Sequence, residues 1–273
     1  MGREELSKVQ MSSRDNHSTS MRICIGGAPI DSISLSSLLP RLDELVGDGK
    51  THYVCFCEAH LCVRATFERE VRRTLEKASL VLPDGVSMTL GARLLGKKLP
   101  ERLPGPLVML EYCRHGVENG IRHFFYGGAD GVAEQLATKL QQQIPGIRIA
   151  GTYSPPFRHL TEKEEREVKE LIETSGADVL WVGLGAPKQE RWMFDHVGKI
   201  KVPLMLGVGA AFDFHSGVRK RAPMWVRKAG LEWVYRMFTG GRRVFWRNAK
   251  FESLFTLIIS KQIILKLLGW RRK

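Results

Sequence analysis

The sequence predicts an α/β protein: a Rossmann-like, largely parallel sheet flanked by helices, followed by a basic helical appendage. Three observations carry that prediction. Short apolar runs, most of them ended by glycine, recur along the chain as far as Gly209, as buried parallel strands do. Helix-like stretches lie between them, the alternation of an α/β sheet. Charge is also segregated. Residues 219–273 hold fifteen Lys/Arg against two Glu, a net +13, while the other 27 Lys/Arg and 27 Asp/Glu cancel. A basic tail on a neutral body points to an anionic partner.

The first twenty residues, MGREELSKVQMSSRDNHSTS, are polar and without period. They read as a disordered tail and lack the apolar core of an export signal. Without such a signal, the odd count of five cysteines (Cys24, Cys55, Cys57, Cys62, Cys113) predicts reduced thiols in the cytoplasm.

The body spans residues 21–218. Its strand candidates are MRICIGG (from Met21), HYVCFC (from His52), SLVLP (from Ser79), RHFFYGG (from Arg122), IRIAGTY (from Ile147), DVLWVGLG (from Asp178) and VPLMLGVG (from Val202). Helices are expected over 36–46, 59–75, 131–142 and 161–174. The last opens with Thr161 as N-cap and Glu164 in the capping-box position.

The appendage is residues 219–273. RAPMWVRKAGLEWVYRMF reads as one or two helices, with Pro223 near an N-terminus. Residues 251–270 are nearly apolar enough to span a bilayer, but Glu252, Lys261 and Lys266 interrupt them. On a helical wheel Glu252, Ser253, Thr256, Ser260, Gln262 and Lys266 fall on one side. Leu254, Leu257, Ile258, Ile264, Leu265 and Leu268 fall on the other, while Phe255, Ile259, Ile263 and Leu267 trespass. With Trp270 and flanking cations, this predicts a helix in a membrane interface. A helix packed on the body or in a dimer is the bland alternative.

Loops at the carboxyl ends of parallel strands are where such folds place chemistry. In LVLPDGVSM, Asp84 stands at a strand end before Gly85; alone it could be a turn residue. YGGADGVAEQL (126–136) runs strand, glycine turn, helix. There Gly127 and Gly128 would let backbone N–H groups approach a phosphate, or simply turn the chain. In VGLGAPKQERW (182–192), Gly183 and Gly185 precede Lys188, Gln189 and Glu190 at a helix start. A cation and an amide at a glycine-lined strand end fit a phosphosugar or nucleotide. GVGAAFDFHSG (207–217) repeats the theme: Gly207 follows a strand, and Asp213 could bond a ribose or base edge. Three such turns favour a shared pocket over three independent loops.

No D-x-D pair occurs, so no metal cofactor is expected, and Arg or backbone dipoles would neutralise a leaving diphosphate. Arg102 is the candidate cation. Cys55, Cys57, His60 and Cys62 lie close in sequence, but their spacing fits no standard zinc pair. G-x-S-x-G, H-E-x-x-H and Walker A motifs are missing, which argues against common hydrolases and P-loop NTPases.

LVLPDGVSM, GGADGVAEQLA, VGLGAPKQERW, GVGAAFDFHSG and KRAPMWVRKAGLEWVYRM occur in that order over residues 21–247. Together they resemble the WecG/TagA/CpsF family of bacterial glycosyltransferases. The resemblance implies an inverting, metal-independent transferase with no cofactor. It would move a sugar, often N-acetylmannosamine or its uronic acid, from UDP to a polyprenyl-diphosphate-linked sugar. The products feed cell-envelope or exopolysaccharide synthesis, and a C-terminal appendage engages the membrane and completes the site.

Carried over, the resemblance puts the catalytic base on Asp84, substrate contacts on Arg102 and Gln189, and the acid after the last glycine loop on Asp213. Arg236, Arg243 and Arg247 become the appendage residues that meet a diphosphate. One departure stands out: Cys55-Phe56-Cys57 replaces the usual Thr-x-Asn pair, so contacts to the donor sugar are expected to differ. The implied partners are a UDP-sugar, a polyprenyl-diphosphate acceptor and an anionic membrane surface at the inner face of the cell membrane. No nucleic acid is among them, and a homo-oligomer stays open. Two other classes compete. A nicotinamide-dependent oxidoreductase would need G-x-G-x-x-G and a ribose-binding acid, which the chain lacks. A basic membrane or nucleic-acid adaptor would leave the polar strand-end loops without a purpose.

Overall fold

The computed structural model describes residues 21–220, 222–223, 225–226, 235 and 241–269. The expected N-terminal tail, most of the helices expected between 221 and 240, Arg236 and Trp270 lie outside the described residues. In chain order the elements are β1 (Met21–Ile25), β2 (Ala28–Ser32), α1 (Leu35–Gly47), β3 (His52–Cys57), α2 (Ala59–Phe67), α3 (Arg69–Lys77), β4 (Leu80–Pro83), α4 (Val86–Leu94), α5 (Gly105–His115), β5 (Arg122–Gly127), α6 (Val132–Gln143), β6 (Arg148–Tyr153), α7 (Glu162–Thr174), β7 (Val179–Gly183), α8 (Lys188–His196), β8 (Leu204–Gly207), α9 (Ala211–Ser216) and α10 (Gly241–Leu267).

Six strands form one sheet in the order β4-β3-β8-β7-β5-β6, and every pairing is parallel. Alternate residues feed two apolar layers, because successive side chains on a strand point to opposite faces. Cys55, Phe124, Leu180, Val182 and Met205 join one cluster; Val54, Phe125, Trp181 and Leu206 join the other.

The first apolar run departs from expectation. β1 does not enter the parallel sheet but pairs antiparallel with β2 in a separate hairpin. Pro29 and Asp31 had hidden β2, since Pro removes a ladder donor. The hairpin covers the β4 edge. Buried Asp31 accepts from the Val81 N–H at 2.7 Å and pairs with Arg22 at 3.2 Å. Arg22 in turn donates to the carbonyls of Ala78 and Ser79. An edge that would invite another strand is thereby satisfied internally.

The helix expected over 59–75 is two helices. Glu68 adopts extended dihedrals between α2 and α3. Arg72 donates to the Ala65 and Thr66 carbonyls, supplying partners that the end of α2 lacks. α7 carries the expected capping box of Thr161 and Glu164.

The 27-residue helix α10 lies on α2 and α4. The side that faces the body draws on both halves of the wheel: Glu252, Gln262 and the trespassing Phe255 and Ile259 lie there with Leu254 and Ile258, while Ser253, Thr256 and Ser260 are exposed. Phe255 and Ile259 are buried, and Gly91 of α4 leaves room for the Phe255 ring, which a Cβ there would meet at 2.9 Å. Glu252 accepts from Ser87 Oγ at 2.6 Å, Gln262 Oε1 accepts from the Gly26 N–H, and Lys266 donates to the Leu95 carbonyl. Leu257, Ile264, Leu267 and Leu268 remain exposed. Among the described residues no helix is long and apolar enough to cross a membrane.

Candidate active site

The carboxyl ends of the six strands form one rim. At β4, the Asp84 N–H bonds the Cys57 carbonyl at 2.9 Å, extending the ladder one residue past the strand. Gly85 then adopts φ +100, a conformation that side chains rarely tolerate, and α4 begins. This turn leaves Asp84 half-buried at the rim. Asp84 Oδ2 lies 3.4 Å from the Gly105 N–H at the start of α5. The Leu103 N–H bonds the Pro83 carbonyl, which holds the neighbouring Arg102 at the same strand end, half-buried.

Gln189, on the first turn of α8, is buried rather than open to a ligand. Its Nε2 donates to the Gly207 carbonyl at 2.6 Å and to Glu190 Oε1 at 2.8 Å. Its Oε1 accepts from the Gly185 N–H at 3.1 Å. Both amide protons are engaged, so only an oxygen lone pair could meet a sugar.

The glycines divide into two kinds. Gly183 and Gly207 leave space for side chains of the fold itself. A Cβ at Gly183 would meet the Phe212 ring at 2.7 Å, and one at Gly207 would meet Met193 and Gln189. Gly127 packs equally closely on Gly183, and the Gly128 N–H bonds the Gly183 carbonyl at 3.0 Å. That donor, expected for a phosphate, is thus engaged within the sheet. Gly185 instead faces open space with φ +79.

Lys188 is exposed beside it, and Asp213 is half-buried on α9. Cys55 and Cys57 are wholly buried beneath the rim, with thiols pushed up by burial first and by neighbouring charge. The direct donor contact expected at these positions has no exposed atom to make it. Among the described residues no group of three or more His, Cys, Asp or Glu could hold a metal ion.

Three acids and a histidine escaped the sequence reading as a set. Glu58 follows β3 as the N-cap residue of α2, and its Cβ stands 3.8 Å from a Cβ position on Gly85. Glu190 is fully buried, and burial, reinforced by Glu58, pushes its carboxyl up to about 7. Glu252 of α10 is also raised, chiefly by burial. His60 packs edge-on against Phe251 at 4.2 Å. Its pKa is lowered, by burial first and also by Arg247. α10 therefore brings Arg247, Phe251 and Glu252 to the Asp84 side of the rim. Arg243 lies on α10, but its side chain is outside the described residues.

A family model described as "Glycosyl transferase WecG/TagA/CpsF family" matches residues 23–267. The chain belongs to this glycosyltransferase family. Similar curated proteins include an N-acetylglucosaminyldiphosphoundecaprenol N-acetyl-beta-D-mannosaminyltransferase of Bacillus spizizenii. It is 34% identical over 215 residues, covering 78% of this chain and 81% of the relative. Proteins with the same printed activity from Staphylococcus aureus strains MRSA252 and NCTC 8325 are 25% identical over 232 residues, covering 84% of this chain and 89% of each relative. The WecG/TagA/CpsF match embraces both the sheet and α10, so the appendage lies within the span that the family model covers.

Proposed function

We propose that this glycosyltransferase moves an N-acetylmannosamine-type sugar from UDP to a polyprenyl-diphosphate-linked sugar in cell-envelope synthesis, with inversion at the anomeric carbon. The observation that carries this reading is the Asp84 turn, where a half-buried carboxylate sits beside α5, three residues before the Ser87 that bonds Glu252 of the docked appendage. The acceptor hydroxyl attacks the anomeric carbon, the bond to the UDP oxygen breaks, and Asp84 takes the hydroxyl proton. Arg102 and the appendage cations Arg236, Arg243 and Arg247 balance charge growing on the leaving diphosphate or hold that of the acceptor. Asp213 would bond the nucleoside, and Lys188 would lie along the phosphates. No metal enters this scheme.

The relatives' printed activity supports the acceptor, N-acetylglucosaminyldiphosphoundecaprenol. The exposed Leu257, Ile264, Leu267 and Leu268 of α10, with exposed Leu90 and Leu94 of the neighbouring α4, support peripheral attachment to an anionic bilayer at its cytoplasmic face. The test is to incubate the protein with a panel of UDP-sugars and a synthetic polyprenyl-diphosphate N-acetylglucosamine, reading product mass and anomeric configuration. A β-linked N-acetylmannosamine product is expected from an α-linked donor. Product only from another UDP-sugar would overturn the donor, and retained configuration would overturn direct displacement.

A further inference from the structure

We propose that Glu190 is a positioning residue that fixes the Gln189 carboxamide and, through it, braces the loops at the ends of β7 and β8. Glu190 Oε1 accepts one Gln189 amide proton at 2.8 Å, and the Gly207 carbonyl takes the other at 2.6 Å. With its donors thus directed, Gln189 can turn only its oxygen toward the Gly185 N–H, at 3.1 Å. A carboxamide is nearly symmetric in shape, so packing alone does not choose between its two orientations. The acceptor on Glu190 makes that choice. A flipped amide would set its oxygen against two acceptors and its NH2 against a donor.

Among the described residues the second carboxyl oxygen of Glu190 has no hydrogen-bond partner. The groups facing it are the thiols of Cys55 and Cys57 on β3 and the carboxylate of Glu58 at the β3–α2 junction. An ionised carboxylate in such surroundings is costly. Glu190 is therefore held as the neutral acid below about pH 7, with its proton on the unpartnered oxygen. Above that pH, ionisation demands a second donor, which only a rearranged clamp can provide.

This inference rests on the proposed transfer reaction only for its kinetic readout. The deciding measurement is amide hydrogen exchange at Gly185 in the full chain. Glu190→Gln keeps an acceptor oxygen and cannot ionise; Glu190→Leu keeps bulk but offers no acceptor. Glu190→Gln is expected to retain wild-type protection of Gly185 and to hold it from pH 6 to 9. Glu190→Leu is expected to lose it by about tenfold, because a buried Gln189 amide proton loses its acceptor. In the transfer assay, Glu190→Gln should lose the alkaline limb of the kcat/KM profile, and Glu190→Leu should fall about tenfold at every pH. Wild-type Gly185 protection in Glu190→Leu would overturn the brace. A Glu190→Gln variant as loose as Glu190→Leu would overturn the neutral acid. If Glu190→Leu does not fold, wild-type Gly185 protection that stays flat from pH 6 to 9 overturns the proposal, and a decline absent in Glu190→Gln upholds it. If no UDP-sugar is turned over, the reaction fails while the exchange result still decides the role of Glu190.

Discussion

The two ends of the parallel sheet use similar polar residues and finish them differently. At the amino end, carboxylates collect several short bonds. Asp43 accepts from Tyr112, His115 and Asn119 at 2.7–3.0 Å, and Asp178 holds both the backbone and the guanidinium of Arg122. At the carboxyl end, Asp84 Oδ2 stands 3.4 Å from the Gly105 N–H, a length at which a hydrogen bond is weak. Saturated carboxylates lock elements together. Asp84 instead ends a strand at the rim, half-buried, where the proposed acceptor would arrive.

The sharpest way to break that comparison is to exchange the outcomes. Asp84→Asn should lower kcat at least about 100-fold and shift the melting temperature by less than about 2 °C. Steady-state assay and thermal denaturation check both halves. Asp43→Ala should do the reverse, costing about 2 kcal/mol of stability with kcat/KM within about twofold of wild type.

Next in size is a pH effect from buried groups at opposite ends. Burial lowers the His123 pKa to about 4, so the unfolded chain binds its proton first. Stability is then full above about pH 6.5 and falls toward pH 4 by about 3 kcal/mol. Burial raises Glu190 to about 7, so its contribution is present below its unfolded value and lost as pH rises through about 7. Denaturant titrations should show His123→Gln flattening the acid limb and Glu190→Gln the alkaline one. The opposite assignment would break the comparison.

α10 repeats the contrast across its own two sides. Replacing exposed Leu257 and Leu267 by Ser should leave stability within about 0.5 kcal/mol yet weaken binding to anionic vesicles about tenfold in a sedimentation assay. Unchanged vesicle binding would make that side mere surface. The smallest effect belongs to the tie between appendage and rim. Ser87→Ala should cost below about 1 kcal/mol, with a rise in KM larger than any change in kcat.

Much of the sheet was legible because its strands are short, apolar on both faces and punctuated by glycine. β2 was not, since Pro29 and Asp31 argue against a strand until Arg22 and Val81 are seen to use that acid. α4 was hidden by Gly91, whose reason lies in Phe255, distant in sequence. On α10 neither side of the wheel is the one that docks. Phe255 and Ile259, which blurred the polar side of the wheel, mark the side that packs on the body. At the rim, a strand-end placement brought Asp84, Arg102 and Gln189 forward. The saturation of Gln189 and the burial of Glu190 depend on Gly207, Gly185 and β3 together, and no local pattern encodes them.

The seat of α10 also fixes an order of events in synthesis. Its floor includes Gly26, against Ile258 and Gln262, and Gly91, against Phe255, both translated long before those partners. Domains generally fold in the order in which they emerge. The nascent body must therefore carry an uncovered apolar trough while its last long helix is still being made. The ribosome and any chaperone nearby meet this protein first as an open trough, and only later as a closed one.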